Sequence, residues 1–179
     1  MKEEKTFSTR SLVAFAAFAV GLGMYAHRKA QSGREVRIGA ALATSLETAC
    51  NNFMTEYGVL PCVGDMDTTL RTDRDIRFLR EITGLGAAGS RLINSRSVQF
   101  LSTKKKLDVT FGFRGNSSES VIYGYFDPWG GPYFVILDLD YDGEVTVPVG
   151  GGITLHRRVA VWSNGPDGKP GTGDDVRTW

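Results

Sequence analysis

Cysteine is scarce in this chain of 179 residues, which holds only Cys50 and Cys62. So small a number excludes a disulfide-dense scaffold and a zinc site built from four thiolates. Two arrangements of the sulfur atoms are open. A bridge would tie the end of a long helix to the chain that follows Pro61, whereas two separate buried thiols fit the sequence equally well.

Charge and histidine are limited too. The 21 basic and 20 acidic side chains give a formal net charge of +1, which is too small to favour binding to nucleic acid. His27 and His156 are the only histidines, and the sequence has neither a G-x-S-x-G motif nor a phosphate-binding loop. We therefore predict that the protein is not an enzyme and that its partners include no nucleic acid and no small-molecule substrate.

One long apolar run is present, from Leu12 to Ala26, with basic residues on both sides. A transmembrane helix needs roughly 20 apolar residues, and a shorter span is accommodated by local thinning of the bilayer. The run predicts a single-pass membrane anchor within a first segment, residues 1–30. A cleaved secretory signal is the alternative, because Gly21 and Gly23 offer a small-x-small cleavage site.

Helical spacing of apolar residues continues beyond this run, and no proline occurs between Ser11 and Leu60. Residues 31–61 are therefore predicted to form the amphipathic half of one long helix. Gly58 and Pro61 are predicted to end it. Residues 62–179 are predicted to form an α+β head.

Within the head, the apolar stripe from Asp73 to Thr83 predicts a short helix that Thr72 or Asp73 caps and Gly84 ends. Strands are predicted at Ser97–Leu101, Leu107–Phe113, Tyr133–Leu139, Gly143–Val147 and Arg157–Trp162. The third and fourth of these flank Tyr141-Asp142, which predicts a hairpin, and Asp142-Gly143 supplies the positive-φ residues that a hairpin turn favours. The predicted fold class is α+β, with a long N-terminal helix packed on a small antiparallel sheet and a Gly- and Asp-rich C-terminal loop.

Asp138, Asp140 and Asp142 stand at alternate positions before Gly143, as at the start of an EF-hand calcium loop. Position twelve of such a loop would be Val149 instead of Glu. A tight hairpin turn accounts for the same residues, so this series is the weaker of two candidate calcium sites.

The stronger candidate is the segment 163–176, which contains four Gly and two Pro and is therefore not a regular element. Three Asp, a Thr and exposed carbonyl groups occur in it. Calcium accepts six to eight oxygen ligands in flexible geometry and suits this supply. A plain surface loop is the competing interpretation.

Residues 126–133 read FDPWGGPY, residues 161–176 read VWSNGPDGKPGTGDDV, and Trp179 follows. The first stretch resembles the D-P-W-G-x-P-Y motif of the major pseudopilin family of type II secretion systems. The C-terminal stretch, together with Trp179, resembles that family's calcium loop. The helix exit YGVLP, Tyr57–Pro61, is similar to the Y-G-x-Y-P exit of these subunits.

This resemblance implies a pilin-like subunit in the bacterial inner membrane, with its head in the periplasm. Such subunits stack through the N-terminal helix into a type II secretion pseudopilus or a type IV pilus-like filament, and their partners are other pseudopilins and the assembly platform. The resemblance also implies calcium as the cofactor that stabilises the head. The positions that match the family's loop are Asn164, Asp167, Thr172, Asp174 and Asp175.

The N-terminus departs from the family pattern, because Thr6–Ser11 stands where these subunits have G-F-T-L-x-E. Both the Gly before the prepilin peptidase cut and the Glu after it are missing. Processing, and the role as a major or a minor subunit, are therefore open. The alternative function is a secreted or singly anchored periplasmic calcium-binding module.

Overall fold

A computed structural model describes residues 9–86, 92–103, 111–116 and 121–179, with side chains from Gly33 onward. The chain divides into two units, Met1–Glu35 and Val36–Trp179. The described part of the first unit is helical and belongs to helix α1 (Thr9–Tyr57). The side chains of the predicted anchor, residues 1–30, lie outside the described part, so the anchor and the domain boundaries stay predictions.

Helix α1 ends at Tyr57, as the sequence predicts. Gly58 has a φ of 73°, and its N–H donates to the Met54 carbonyl oxygen at 2.8 Å. A glycine in the left-handed region thus closes the last turn. Residues at helical spacing on this part of α1 are fully buried: Ala43, Leu46, Ala49, Cys50 and Phe53.

The second unit contains the helix α2 (Ile76–Thr83) and a set of short strands. The strands are β1 (Thr68–Arg71), β2 (Gly112–Asn116), β3 (Val121–Phe126), β4 (Phe134–Leu137), β5 (Val145–Val147), β6 (Ile153–Leu155), β7 (Val159–Ser163) and β8 (Val176–Arg177). The main sheet has the order β1-β4-β7-β8, and all of its neighbouring strands are antiparallel. Strands β2 and β3 pair separately, as do β5 and β6. The class α+β, with one long helix and a small antiparallel sheet, is confirmed.

The main sheet is covered on both faces. Val135 and Val161 belong to one core cluster together with the buried residues of α1. Ile136 and Trp162, their neighbours in sequence, belong to a second cluster with residues of β5 and β6. Successive side chains of a strand point to opposite faces, so the central strands are buried on both sides by α1 and by the β5–β6 ribbon.

Helix α2 begins at Ile76 and not at the predicted Asp73, because the predicted caps are engaged elsewhere. The buried hydroxyl of Thr72 donates to the Tyr125 carbonyl oxygen and accepts the N–H of Tyr133. The carboxylate of Asp73 forms an ion pair with Arg71 at 2.9 Å, and Asp75 accepts the N–H of Arg71 at 2.6 Å. The predicted C-terminal end at Gly84 is confirmed, with a φ of 70°.

The predicted strand Ser97–Leu101 is wrong. The side chain of Asn94 accepts the N–H of Val98 at 2.8 Å and donates to its carbonyl oxygen at 2.7 Å, so Val98 has no backbone groups left for a ladder. The buried Glu81 carboxylate fixes this loop by accepting the N–H groups of Ile93 and Asn94. Residues 107–110 of the next predicted strand lie outside the described part, and β2 begins at Gly112.

Candidate metal sites and the turn beside them

The segment 138–144 links β4 to β5, and its predicted role as a hairpin turn is wrong. Strand β4 pairs with β1 and β7, whereas β5 pairs with β6. The Asp138 carboxylate folds the segment instead, because its Oδ2 accepts the N–H of Gly143 at 3.1 Å. Tyr141 has a φ of 61°, which is uncommon for a residue other than glycine. The segment is thus an acidic loop between two sheets.

Asp67 lies beside this loop because of the strand register. Thr68, the first residue of β1, is paired with Leu137, the last residue of β4. In an antiparallel pair, the residues just outside such a pair lie at the same edge of the sheet, which places Asp67 next to Asp138. One carboxylate oxygen from each of Asp67, Asp138 and Asp140 lies within 4.8 Å of the others. No other set of three acidic, His or Cys side chains in the described ranges meets in this way.

Asp142, the third residue of the predicted series, is placed differently. Its Oδ1 accepts the N–H of Glu144 at 2.8 Å, a local contact typical of a turn. The structure therefore gathers Asp138 and Asp140 with Asp67, while Asp142 is outside this group. Asp67 is not among the predicted ligands, because the sequence analysis predicts no strand where β1 lies.

Asp138 is fully buried, which is rare for an acidic residue. Its Oδ1 is inaccessible to solvent and has no hydrogen-bond partner among the residues that the structure describes. Burial raises the pKa of Asp138, because loss of water disfavours the charged form. A buried polar atom without a partner costs about 1–3 kcal/mol, and more for a charged group. The site is therefore unfavourable unless something binds this oxygen.

Thr172 lies within the C-terminal loop, between β7 and β8. Its Oγ1 is 2.6 Å from Oδ1 of Asp174, 3.3 Å from Oδ1 of Asp175 and 3.4 Å from Oδ1 of Asp167. The structure thus brings four of the five predicted ligand residues together. The hydrogen bond from Thr172 lowers the pKa of Asp174, since it favours the charged carboxylate.

The same carboxylates are also held by the loop itself. Asp167 accepts the N–H of Lys169 at 2.8 Å, and Asp175 accepts the N–H of Gly171 at 2.8 Å. Arg177 forms an ion pair with Asp175 at 2.8 Å. Internal hydrogen bonds therefore contribute to the order of this loop, and its carboxylates are not as close to one another as those of Asp67, Asp138 and Asp140.

Asn164, the fifth predicted ligand, lies at the start of the loop. Its Nδ2 donates to the Gly168 carbonyl oxygen at 3.4 Å, while its Oδ1 is buried without a partner. The next residue, Gly165, has a φ of 62°, and a Cβ there would lie 2.3 Å from the carbonyl oxygen of Asp174. The two arms of the loop are thus pressed together at a position that only glycine fits.

Asp127 organises the turn that carries the DPWGGPY stretch. It is buried, and its Oδ1 accepts the N–H groups of Trp129 at 2.9 Å and Gly131 at 2.7 Å. Its Oδ2 accepts the hydroxyl proton of Ser163, the last residue of β7. Because Ser163 Oγ also accepts the N–H of Gly165 at 3.1 Å, a chain of hydrogen bonds connects the turn to the C-terminal loop.

The same turn is seated on α1 at Gly39. The Tyr133 hydroxyl donates to the Gly39 carbonyl oxygen at 2.9 Å. A Cβ at Gly39 would lie 3.4 Å from Cζ3 of Trp129 and 3.5 Å from Cδ of Pro128. A methyl group at position 39 would thus be in van der Waals contact with the turn, which shows that the turn lies against this part of the helix.

The two cysteines are separate free thiols, with Cys50 in the core and Cys62 partly buried. Burial raises the pKa of both thiols. Of the two arrangements open from the sequence, the structure has the unbridged one.

The described residues include no helix that is both long enough and apolar enough to span a bilayer.

Searches against protein family profiles, curated proteins and solved structures found no match to this chain.

Proposed function

We propose that this chain is a non-enzymatic structural subunit of a type II secretion pseudopilus or a type IV pilus-like filament. The observation that carries the proposal is the composition of helix α1. This helix includes the apolar run Leu12–Ala26, and its residues Leu46 and Phe53 are fully buried in the core of the α+β unit. A subunit that stacks laterally needs one helix that both packs against neighbouring subunits through its apolar run and holds its own head through its buried residues.

The turn at residues 126–133 supports the same proposal. Its motif resembles that of the major pseudopilins, and in this chain the motif has a clear physical role. The buried carboxylate of Asp127 holds the turn through hydrogen bonds, Tyr133 donates a hydrogen bond to Gly39 of α1, and Trp129 lies near the same residue. These residues fix the head to the helix that would carry it in a filament.

In this proposal the subunit is anchored in the bacterial inner membrane by α1, with the head in the periplasm. Its partners are other pseudopilin subunits and the assembly platform, and they contact helix α1. Calcium bound in the C-terminal loop stabilises the head. The loop supplies oxygen donors for this from Asp167, Thr172, Asp174 and Asp175, which lie around one hydroxyl group.

Disulfide crosslinking in cells tests the assembly. Single cysteines are introduced along the apolar run, as in Ala16→Cys and Ala19→Cys, in a Cys62→Ser background that removes the partly exposed native thiol. Cells that contain the complete secretion machine are oxidised, and the dimers are measured by non-reducing electrophoresis. We expect dimers at positions on one or two stripes of the helix, because lateral packing brings only certain faces together.

The matched control is the same set of variants in cells without the assembly motor, where the stripe pattern is expected to disappear. Equal crosslinking at every position, or none in the complete system, would contradict the proposal.

N-terminal sequencing of the native protein distinguishes the filament subunit from the alternative function, since a chain that starts near Met24 would be a secreted calcium-binding module.

A further inference from the structure

We infer that Asp67, Asp138 and Asp140 form a calcium site at the edge of the main sheet, distinct from the C-terminal loop. This inference does not depend on filament assembly. It concerns a site between β1 and the loop after β4, and the sequence motif for the C-terminal loop contains none of these residues.

The strand pairing builds the site. Since Thr68 faces Leu137 across β1 and β4, Asp67 and Asp138 are held at one edge by the sheet and not by a loose loop. The N–H of Asp138 also donates to the carbonyl oxygen of Arg158 at 2.9 Å, which fixes its backbone beside β7. Two of the three carboxylates therefore have positions set by the fold before any ion binds.

The buried oxygen of Asp138 is an observation independent of the clustering of charge. Oδ2 is hydrogen-bonded to Gly143, but Oδ1 of this fully buried side chain has no partner. Nearly all buried polar atoms in folded proteins have a partner. A cation held between Asp138, Asp67 and Asp140 would supply the partner that the protein does not.

The charges of the cluster also favour a bound cation. Among the described residues, no Lys, Arg or His forms an ion pair with Asp67, Asp138 or Asp140. Carboxylates held this close without a basic partner repel one another, and a divalent cation reverses the sign of that interaction.

The chemistry of the donors selects the ion. All three are carboxylates, and neither the cysteines nor the histidines belong to the group. Oxygen-only sites suit calcium or magnesium, whereas zinc prefers nitrogen and sulfur. Asp67 and Asp140 are exposed, so water can complete a coordination sphere of variable geometry, which calcium tolerates better than magnesium does.

Calorimetric titration of the full chain in detergent micelles with calcium chloride tests the site, after removal of bound metal with a chelator. The test variant is Asp67→Asn, because this side chain is exposed and its replacement leaves the core intact. The matched control is Asp65→Asn, which makes the same change of charge at an exposed residue of the same segment. The variant Asp174→Asn removes a donor from the C-terminal loop.

We expect Asp67→Asn to weaken one calcium-binding event at least tenfold, while Asp65→Asn and Asp174→Asn retain that event. Equal affinity in Asp67→Asn and the unmodified chain would overturn the inference, as would the absence of calcium binding in the unmodified chain. Loss of all binding in Asp174→Asn would overturn it too, because the ion would then belong to the C-terminal loop. None of these outcomes bears on the crosslinking pattern of the filament.

Discussion

Replacing Asp127 by Ala is expected to lower the free energy of unfolding by about 3 kcal/mol or more. The change removes a buried carboxylate that accepts hydrogen bonds from Trp129, Gly131 and Ser163. Each bond to a charged group contributes about 1.5–3 kcal/mol, and the change leaves the buried hydroxyl of Ser163 and two partly buried N–H groups without this acceptor. Urea unfolding of the full chain, followed by the fluorescence of its three tryptophans, of which Trp162 is buried, measures the loss.

Two further variants control for this prediction. Asp73→Ala breaks a partly exposed ion pair with Arg71 and is expected to cost less than about 1 kcal/mol. Asp127→Asn keeps the size of the side chain and one acceptor oxygen, so its loss of stability falls between the other two. If Asp127→Ala were no more destabilising than Asp73→Ala, the role assigned to the DPWGGPY turn would be wrong.

Replacing Asp138 by Asn is expected to stabilise the protein in chelator and to remove the part of its calcium response that comes from the site of Asp67, Asp138 and Asp140. In the metal-free protein the change removes a buried charge, and the new amide N–H₂ donates toward the carboxylates of Asp67 and Asp140. We expect a gain of about 1–3 kcal/mol, the cost of an unsatisfied buried group. In the unmodified chain, calcium at a hundredfold excess over the dissociation constant adds about 2.7 kcal/mol, and Asn at position 138 removes a ligand needed for that gain.

Thermal unfolding with calcium and with chelator measures both effects in the same samples. The control is Asp142→Asn, since Asp142 contacts Glu144 within the loop and lies outside the converging group. It is expected to respond to calcium as the unmodified chain does. An Asp138→Asn protein that is destabilised in chelator and gains as much stability from calcium as the unmodified chain would refute the site.

Local signals made the helices the most predictable part of the fold. Gly58 and Gly84 both have a positive φ at the ends that the sequence indicates, because glycine adopts this conformation without a steric penalty. The start of α2 was predicted less well. Thr72 is a good capping residue by type, but its hydroxyl is bound by Tyr125 and Tyr133, which are distant in sequence.

Pairings between distant strands were not predictable in the same way. Strand β1 has only four residues, and its buried and exposed side chains do not alternate clearly. Neither the spacing nor the type of its residues therefore indicates that it pairs with β4. For this reason Asp138 and Asp140 were recognised as an acidic series, while Asp67 was missed. The C-terminal loop was easier, because Asp167, Thr172 and Asp174 are close in sequence as well as in space.

Electron microscopy of material sheared from cells that produce this chain together with a complete assembly machine is the decisive measurement for filament assembly. We expect filaments in which residues Leu12–Ala26 of α1 pack against those of neighbouring subunits, with the α+β units on the outside. Reconstructions in which this run contacts no neighbour, or preparations that contain only single subunits, would contradict it.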